Sequence, residues 1–126
     1  MISWFEKHNK ISWAITVLIA IMIFYVSSLT FGSGTPGKGT NLYAIIYHIA
    51  AFFFFTLFLL FSLVKGKNYG FVFLSIIIAT LYGFSDEFHQ YFVPGRSSSL
   101  SDVFLDFTGT TLAVLIYLII LRYKKL

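Results

Sequence analysis

Four long apolar segments dominate this sequence and set what it can fold into. The first covers residues 11–31 and carries no charged side chain. A helix of that length spans about 30 Å, the thickness of one hydrocarbon core. Three further apolar runs cover residues 42–64, 69–84 and 103–121. Only 11% of the residues are charged, against about 25% in ordinary soluble domains. We therefore expect an all-α, polytopic membrane protein with four transmembrane helices.

The segments between these runs predict where the helices end. Residues 32–41 contain four glycines and a proline, and residues 65–68 form a basic stretch around Gly66. Both favour loops or turns over helix. The third run is short for a full span, so we expect its helix to continue through Asp86 and Glu87 to about Tyr91. Pro94 and Gly95 then predict a turn.

The two ends of the chain carry weaker signals. Ser99 and Asp102 fit a capping box that opens the fourth span at Val103, and Arg122 to Leu126 form a basic tail. Residues 1–10 are short and polar, and they predict either a short helix lying at the membrane interface or an unstructured segment. We expect residues 1–126 to form a single domain.

One stretch concentrates the polar chemistry. Residues 85–109 hold four of the five acidic residues, and apolar runs lie directly before and after them. A charged group at the centre of a bilayer costs about 2.5 kcal/mol or more, so such groups persist mainly where they pair or perform a function. Any function that this sequence reveals is therefore expected here.

The distribution of basic residues predicts the orientation. Alternating four helices puts seven Lys and Arg side chains on the side of the two termini and only two, Lys38 and Arg96, on the other side. The positive-inside rule then places both termini in the cytoplasm and the region from Asp86 to Asp102 on the extracellular side.

This topology brings polar residues from all four helices to one membrane depth. Asp86, His89 and Gln90 share one helical face, and Asp102, Asp106, Gly109 and Ala113 form a stripe on the next helix. Small side chains in that stripe would let a neighbouring helix approach closely. The residues at this depth are Ser27, Ser28, His48, Asp86, Glu87, His89, Gln90, Asp102 and Asp106.

Several kinds of chemistry fit these residue types. Acid–base candidates for catalysis are His48, Asp86, Glu87, His89 and Asp102, since shielded carboxylates and imidazoles serve proton transfer. Four of them, His48, Asp86, Glu87 and Asp102, are also candidate metal ligands. Arg96 can hold a phosphate or carboxylate through two parallel hydrogen bonds. The absence of Cys excludes thiolate catalysis, and no recognised hydrolase motif is present. A purely structural role, with Asp102 as a helix cap and Arg96 as a loop tie, stays open.

The same residues resemble the signature of the VanZ-like membrane proteins. In that family the third helix ends in Asp-Glu-x-x-Gln, followed by Pro-Gly-Arg and then an Asp and a Gly in the fourth helix. The matching residues here are Asp86, Glu87, Gln90, Pro94, Gly95, Arg96, Asp102 and Gly109. Ser27, Ser28 and His48 also match the family, whereas Asp106 stands where the family is expected to have Asn.

The resemblance implies a phenotype and leaves the chemistry open. The family's founding member confers low-level resistance to teicoplanin, a lipoglycopeptide, more than to vancomycin. The first hypothesis is therefore an outer-leaflet protein that binds a lipid-linked cell-wall precursor or lipoglycopeptide, with Arg96, Gln90, Ser27, Ser28 and Asp106 as ligand-binding candidates. The alternatives are a small intramembrane hydrolase or transferase, metal-assisted or not, and an oligomeric transporter. Membrane lipids are expected partners and nucleic acids are not, whereas cofactors and oligomeric state stay open.

Overall fold

The computed structural model describes residues 2–28, 42–94 and 100–125. These residues form five helices and no strand. The helices are α1 (Ile2–Lys7), α2 (Asn9–Ser28), α3 (Leu42–Leu63), α4 (Gly70–Tyr91) and α5 (Leu100–Lys125). Helices α2 to α5 are each long and apolar enough to cross a membrane. The chain is an all-α, multi-pass membrane protein, as the hydropathy pattern predicts.

The helix boundaries follow the sequence closely, with one correction at the end of α5. The end of α4 at Tyr91 confirms the prediction that this helix runs through the acidic pair. Helix α5 begins at Leu100, as a predicted N-cap at position 99 requires, and it continues past the predicted span end at Leu121 into the basic tail. The tail residues are good helix formers and simply prolong the span. The predicted N-cap, Ser99, and the glycine-rich stretch 32–41 lie outside the described residues.

Helix α3 lies at the centre of the bundle and packs against each of the other four helices. Its closest partner is α5, and α4 packs against both. The interior combines apolar clusters with small hydroxyl side chains: Phe52 and Phe55 pack against Tyr82 of α4, and Thr56 donates a hydrogen bond to Thr110. Many large apolar side chains lie on the outer surface instead, which suits a bundle surrounded by lipid.

The end of the bundle that carries the termini and the turn after α3, here the basic end, has a compact polar network. The Tyr117 hydroxyl donates to Glu6 Oε1 at 2.8 Å, and Lys124 Nζ donates to Glu6 Oε2 at 2.8 Å. The backbone N–H of Gly66 donates to the same Tyr117 hydroxyl. Gly66 has a φ of 71°, a conformation that glycine adopts without steric strain. The N-terminal segment, predicted to be either a short helix or unstructured, thus forms helix α1 and is tied to the bundle through Glu6.

Candidate functional site

Five ionisable side chains from three helices meet at the opposite end of the bundle. We call this group the carboxylate centre: His48 of α3, Asp86 and Glu87 of α4, and Asp102 and Asp106 of α5. All are buried except Asp102, which is partly exposed. Side chains up to 58 positions apart in the sequence thus meet. Their meeting agrees with the prediction that these residues lie at one membrane depth.

The close approach of α5 to α3 brings two of these side chains together. A Cβ atom on Gly109 would lie 2.3 Å from the carbonyl oxygen of Ile49, a distance that real Cβ atoms do not reach. Only glycine therefore allows this contact. Ile49 follows His48, and Asp106 lies one turn before Gly109, so the contact sets their separation. The predicted small-residue stripe of α5 does face a neighbouring helix, with Ala113 fully buried in it.

His48 is held between the two carboxylates of α5. Its Nδ1 atom lies 2.8 Å from Asp106 Oδ1, and its Nε2 atom lies 3.9 Å from Asp102 Oδ1. An ionised carboxylate only accepts hydrogen bonds, so Nδ1 carries the hydrogen in this pair. The ring is thereby fixed in orientation, with Nε2 directed toward Asp102.

Helix α4 contributes its buried polar face to the same centre. The Gln90 side chain is 2% exposed and donates to Asp86 Oδ2 at 3.3 Å, which agrees with the predicted shared face. Towards the middle of the helix, this face continues through Gly83, Ala79 and Ser75, all of them buried. Small side chains at this spacing let α4 lie close to its neighbours, so that the long acidic side chains meet those of α3 and α5.

Two overlapping groups within the centre have metal-binding geometry. His48, Glu87 and Asp102 each offer a ligand atom within 4.8 Å of the others, and so do Asp86, Glu87 and Asp106. Glu87 belongs to both groups. These residues include all four metal-ligand candidates from the sequence and add Asp106.

An apolar groove of about 250 Å³ between α4 and α5 ends at this centre. Phe84, Phe104 and Phe107 line it and are each about half exposed or more on the bundle surface. Two polar atoms in its lining, Thr80 Oγ1 and Asp106 Oδ2, are buried and have no hydrogen-bond partner among the described residues. Neither Thr80 nor Gly83 was predicted from the sequence, although the spacing of Ser75, Ala79 and Gly83 indicates a closely packed face of α4.

The remaining candidates lie elsewhere or outside the described residues. His89 Nε2 shares a hydrogen bond of 2.9 Å with Ser28 Oγ, and its ring stacks on Phe24 of α2. His89 thus joins α4 to α2 and belongs to neither metal-type group. Ser27 is buried, and its hydroxyl has no hydrogen-bond partner among the described residues. Arg96 lies in the stretch 95–99, which the structure does not describe.

Comparison with known proteins identifies the family. No match was found among curated proteins, and none was found among solved structures. The model of the family described as VanZ/LLP1 matches residues 5–121, nearly the whole chain. That range includes every helix that could cross the membrane, apart from the last turn of α5, and the complete carboxylate centre. The chain therefore belongs to the VanZ/LLP1 family.

Proposed function

We propose that this VanZ-like protein binds the polar part of a lipid-linked cell-wall precursor or lipoglycopeptide at the outer leaflet. The observation that carries the proposal is the groove between α4 and α5, whose exposed walls are apolar and whose lining includes Asp106 of the carboxylate centre. A ligand with an acyl or isoprenyl chain and a polar head matches both parts. Its chain would replace lipid against the phenylalanines, and its head would reach the carboxylate centre.

The chemistry of the centre narrows the class of ligand. Carboxylate oxygens accept hydrogen bonds, and Thr80 Oγ1 in the groove can donate or accept one. A head group that offers amide, hydroxyl or ammonium donors is therefore favoured. Lipoglycopeptides and lipid-linked peptide precursors both carry such donors. Arg96, expected beside the centre from the sequence, would take a carboxylate or phosphate of the same ligand.

The proposed orientation follows the basic residues. Lys65, Lys67 and Lys124 lie at the basic end, opposite the carboxylate centre. The positive-inside rule assigns that end, with both termini, to the cytoplasm. The carboxylate centre then faces the outer leaflet, where lipid-linked cell-wall precursors are used and glycopeptides act.

A second candidate function, an intramembrane hydrolase or transferase, is favoured by the His48–Asp106 pair. An imidazole oriented by a carboxylate at 2.8 Å is the arrangement of a general base. His48 Nε2 would accept the proton of a water or hydroxyl nucleophile. The variant Asp106→Asn distinguishes the two functions. An enzyme carrying it would lose turnover and still bind its substrate, whereas a binding protein would change only in its affinity for the ligand.

The first experiment measures susceptibility to teicoplanin and vancomycin in a Gram-positive host that expresses the protein. We expect the native chain to raise the inhibitory concentration of teicoplanin and to leave that of vancomycin nearly unchanged. His48→Gln and Arg96→Ala should abolish this protection at equal membrane levels. The matched controls are His8→Gln, an exposed histidine at the basic end, and Lys38→Ala, the other basic residue of the proposed outer side. Protection that survives in both site variants would contradict the proposal.

A further inference from the structure

The carboxylate centre gathers acidic side chains from two helices around one histidine. It contains four carboxylates and one imidazole. Like charges at low dielectric repel strongly, and buried acidic groups in proteins are paired, neutralised by protonation or bound to a metal. A divalent cation bound among these carboxylates would relieve their mutual repulsion.

The orientation of His48 is the one that metal-bound histidines adopt. Such histidines donate their second ring N–H to a carboxylate, which fixes the ring and makes the ligating nitrogen more basic. Here Nδ1 donates to Asp106, and Nε2 is left toward Asp102. His48, Glu87 and Asp102 bring their ligand atoms within 4.8 Å of one another from three different helices. Inward carboxylates and histidines on facing helices are how helical bundles build metal sites.

Asp106 supplies an independent observation. The residue is 2% exposed, and its Oδ2 atom has no hydrogen-bond partner among the described residues. A buried carboxylate oxygen without a partner loses the solvation that water would give it, so a cation close to this oxygen would offset the loss. Asp106 lies with Asp86 and Glu87 in the second group of convergent ligand atoms, directly beside the first.

We propose that the carboxylate centre is a divalent metal site in which His48 Nε2, Glu87 and Asp102 are ligands and Asp106 orients His48. Carboxylate oxygens combined with one imidazole suit Mn²⁺ or Zn²⁺. The metal would also give an acceptor-rich centre affinity for an anionic head group. The site rests on the geometry of this chain alone and goes beyond the ligand-binding function proposed above.

The test titrates Mn²⁺ into the purified full-length protein in detergent and follows the loss of the free-ion electron paramagnetic resonance signal. We expect saturable binding with a fixed stoichiometry, and a thermal unfolding midpoint that rises as the metal saturates the protein. His48→Gln and Asp102→Asn should abolish saturable binding. Asp106→Asn, which leaves the ligands in place, should weaken it by about 10–100-fold.

The controls remove the same chemical groups at the basic end. His8→Gln and Glu6→Gln should bind Mn²⁺ as the native protein does, because neither residue belongs to the carboxylate centre. Absent binding, or equal binding in the native protein and in the His48 and Asp102 variants, overturns the metal site. The titration contains neither antibiotic nor lipid precursor, so its failure leaves the ligand proposal standing. Metal binding without teicoplanin protection would reject only the ligand proposal.

Discussion

The two ends of this bundle place acidic side chains in opposite surroundings. At the basic end a single carboxylate, Glu6, accepts one hydrogen bond from Tyr117 and one from Lys124. At the other end four carboxylates lie around one histidine, and Gln90 donates a hydrogen bond to Asp86. The first arrangement is a pair of opposite charges with a hydrogen bond beside it, whereas the second places several like-charged groups together. The first ties α1 to the bundle, and the second is the centre for which we propose ligand and metal binding.

The comparison also shows how stability and function divide within a small membrane protein. A satisfied polar network specifies which helices meet and in what register. A cluster of like-charged groups repels itself, and we propose that this one is retained for binding or catalysis. If stability and function divide in this way, substitutions at the two ends of the bundle should have different effects on the free energy of unfolding.

Gly109→Ala is expected to have the largest effect. Its Cβ atom would meet the Ile49 carbonyl at 2.3 Å, so α5 must move away from α3 along their closest contact. We expect a loss of about 3 kcal/mol or more in the free energy of unfolding, measured in detergent, because backbone cannot move aside as a flexible side chain does. The separation of His48 from Asp106 should also abolish metal binding and teicoplanin protection.

The matched control is Gly70→Ala, at the first residue of α4. Nothing lies within 4 Å of the added Cβ, and alanine favours helix, so stability should stay unchanged or rise by up to about 1 kcal/mol. Equal losses in the two variants would show that the α3–α5 contact does not depend on Gly109.

The second prediction compares one carboxylate from each end. Glu6→Gln should lower the free energy of unfolding by about 1–2 kcal/mol, since the hydrogen bonds from Tyr117 and Lys124 lose their charged acceptor. Asp106→Asn in metal-free protein should change it by less than about 0.5 kcal/mol or raise it, because one of four like charges is removed. Chemical denaturation of both variants in the same detergent is the measurement. A larger loss for Asp106→Asn would assign the carboxylate centre a structural role.

The third prediction concerns orientation and should leave stability unaltered. The chain has no native cysteine, so single cysteines report their own position. A cysteine at Ser98 should react with an impermeant maleimide on intact cells, and one at exposed Lys67 should react only after lysis. The reverse pattern would place the carboxylate centre in the cytoplasm and remove the outer-leaflet ligand from consideration.

Much of the candidate site was predictable because its signals are local. Hydropathy gives the four spans, helical period gives the shared face of Asp86 and Gln90, and small residues give the packing stripe around Gly109. His89 shows the limit of such reasoning. It lies three residues after Asp86, within reach of the same face, yet it bonds Ser28 and stacks on Phe24. Helical spacing alone does not tell which neighbouring helix lies beside each edge of a face.

The sequence by itself determined the number of transmembrane helices, most of their boundaries and the common depth expected for the polar residues, because each follows from hydrophobicity and rise per residue. The tertiary structure decided which of those residues meet. The rotation of α5 against α3, fixed by the backbone contact at Gly109, brings Asp106 onto His48. Because α1 packs on the basic end, Glu6 bonds Tyr117 and Lys124, which lie more than 100 positions away in the sequence. Such pairings depend on contacts between helices, and no single segment of the chain encodes them.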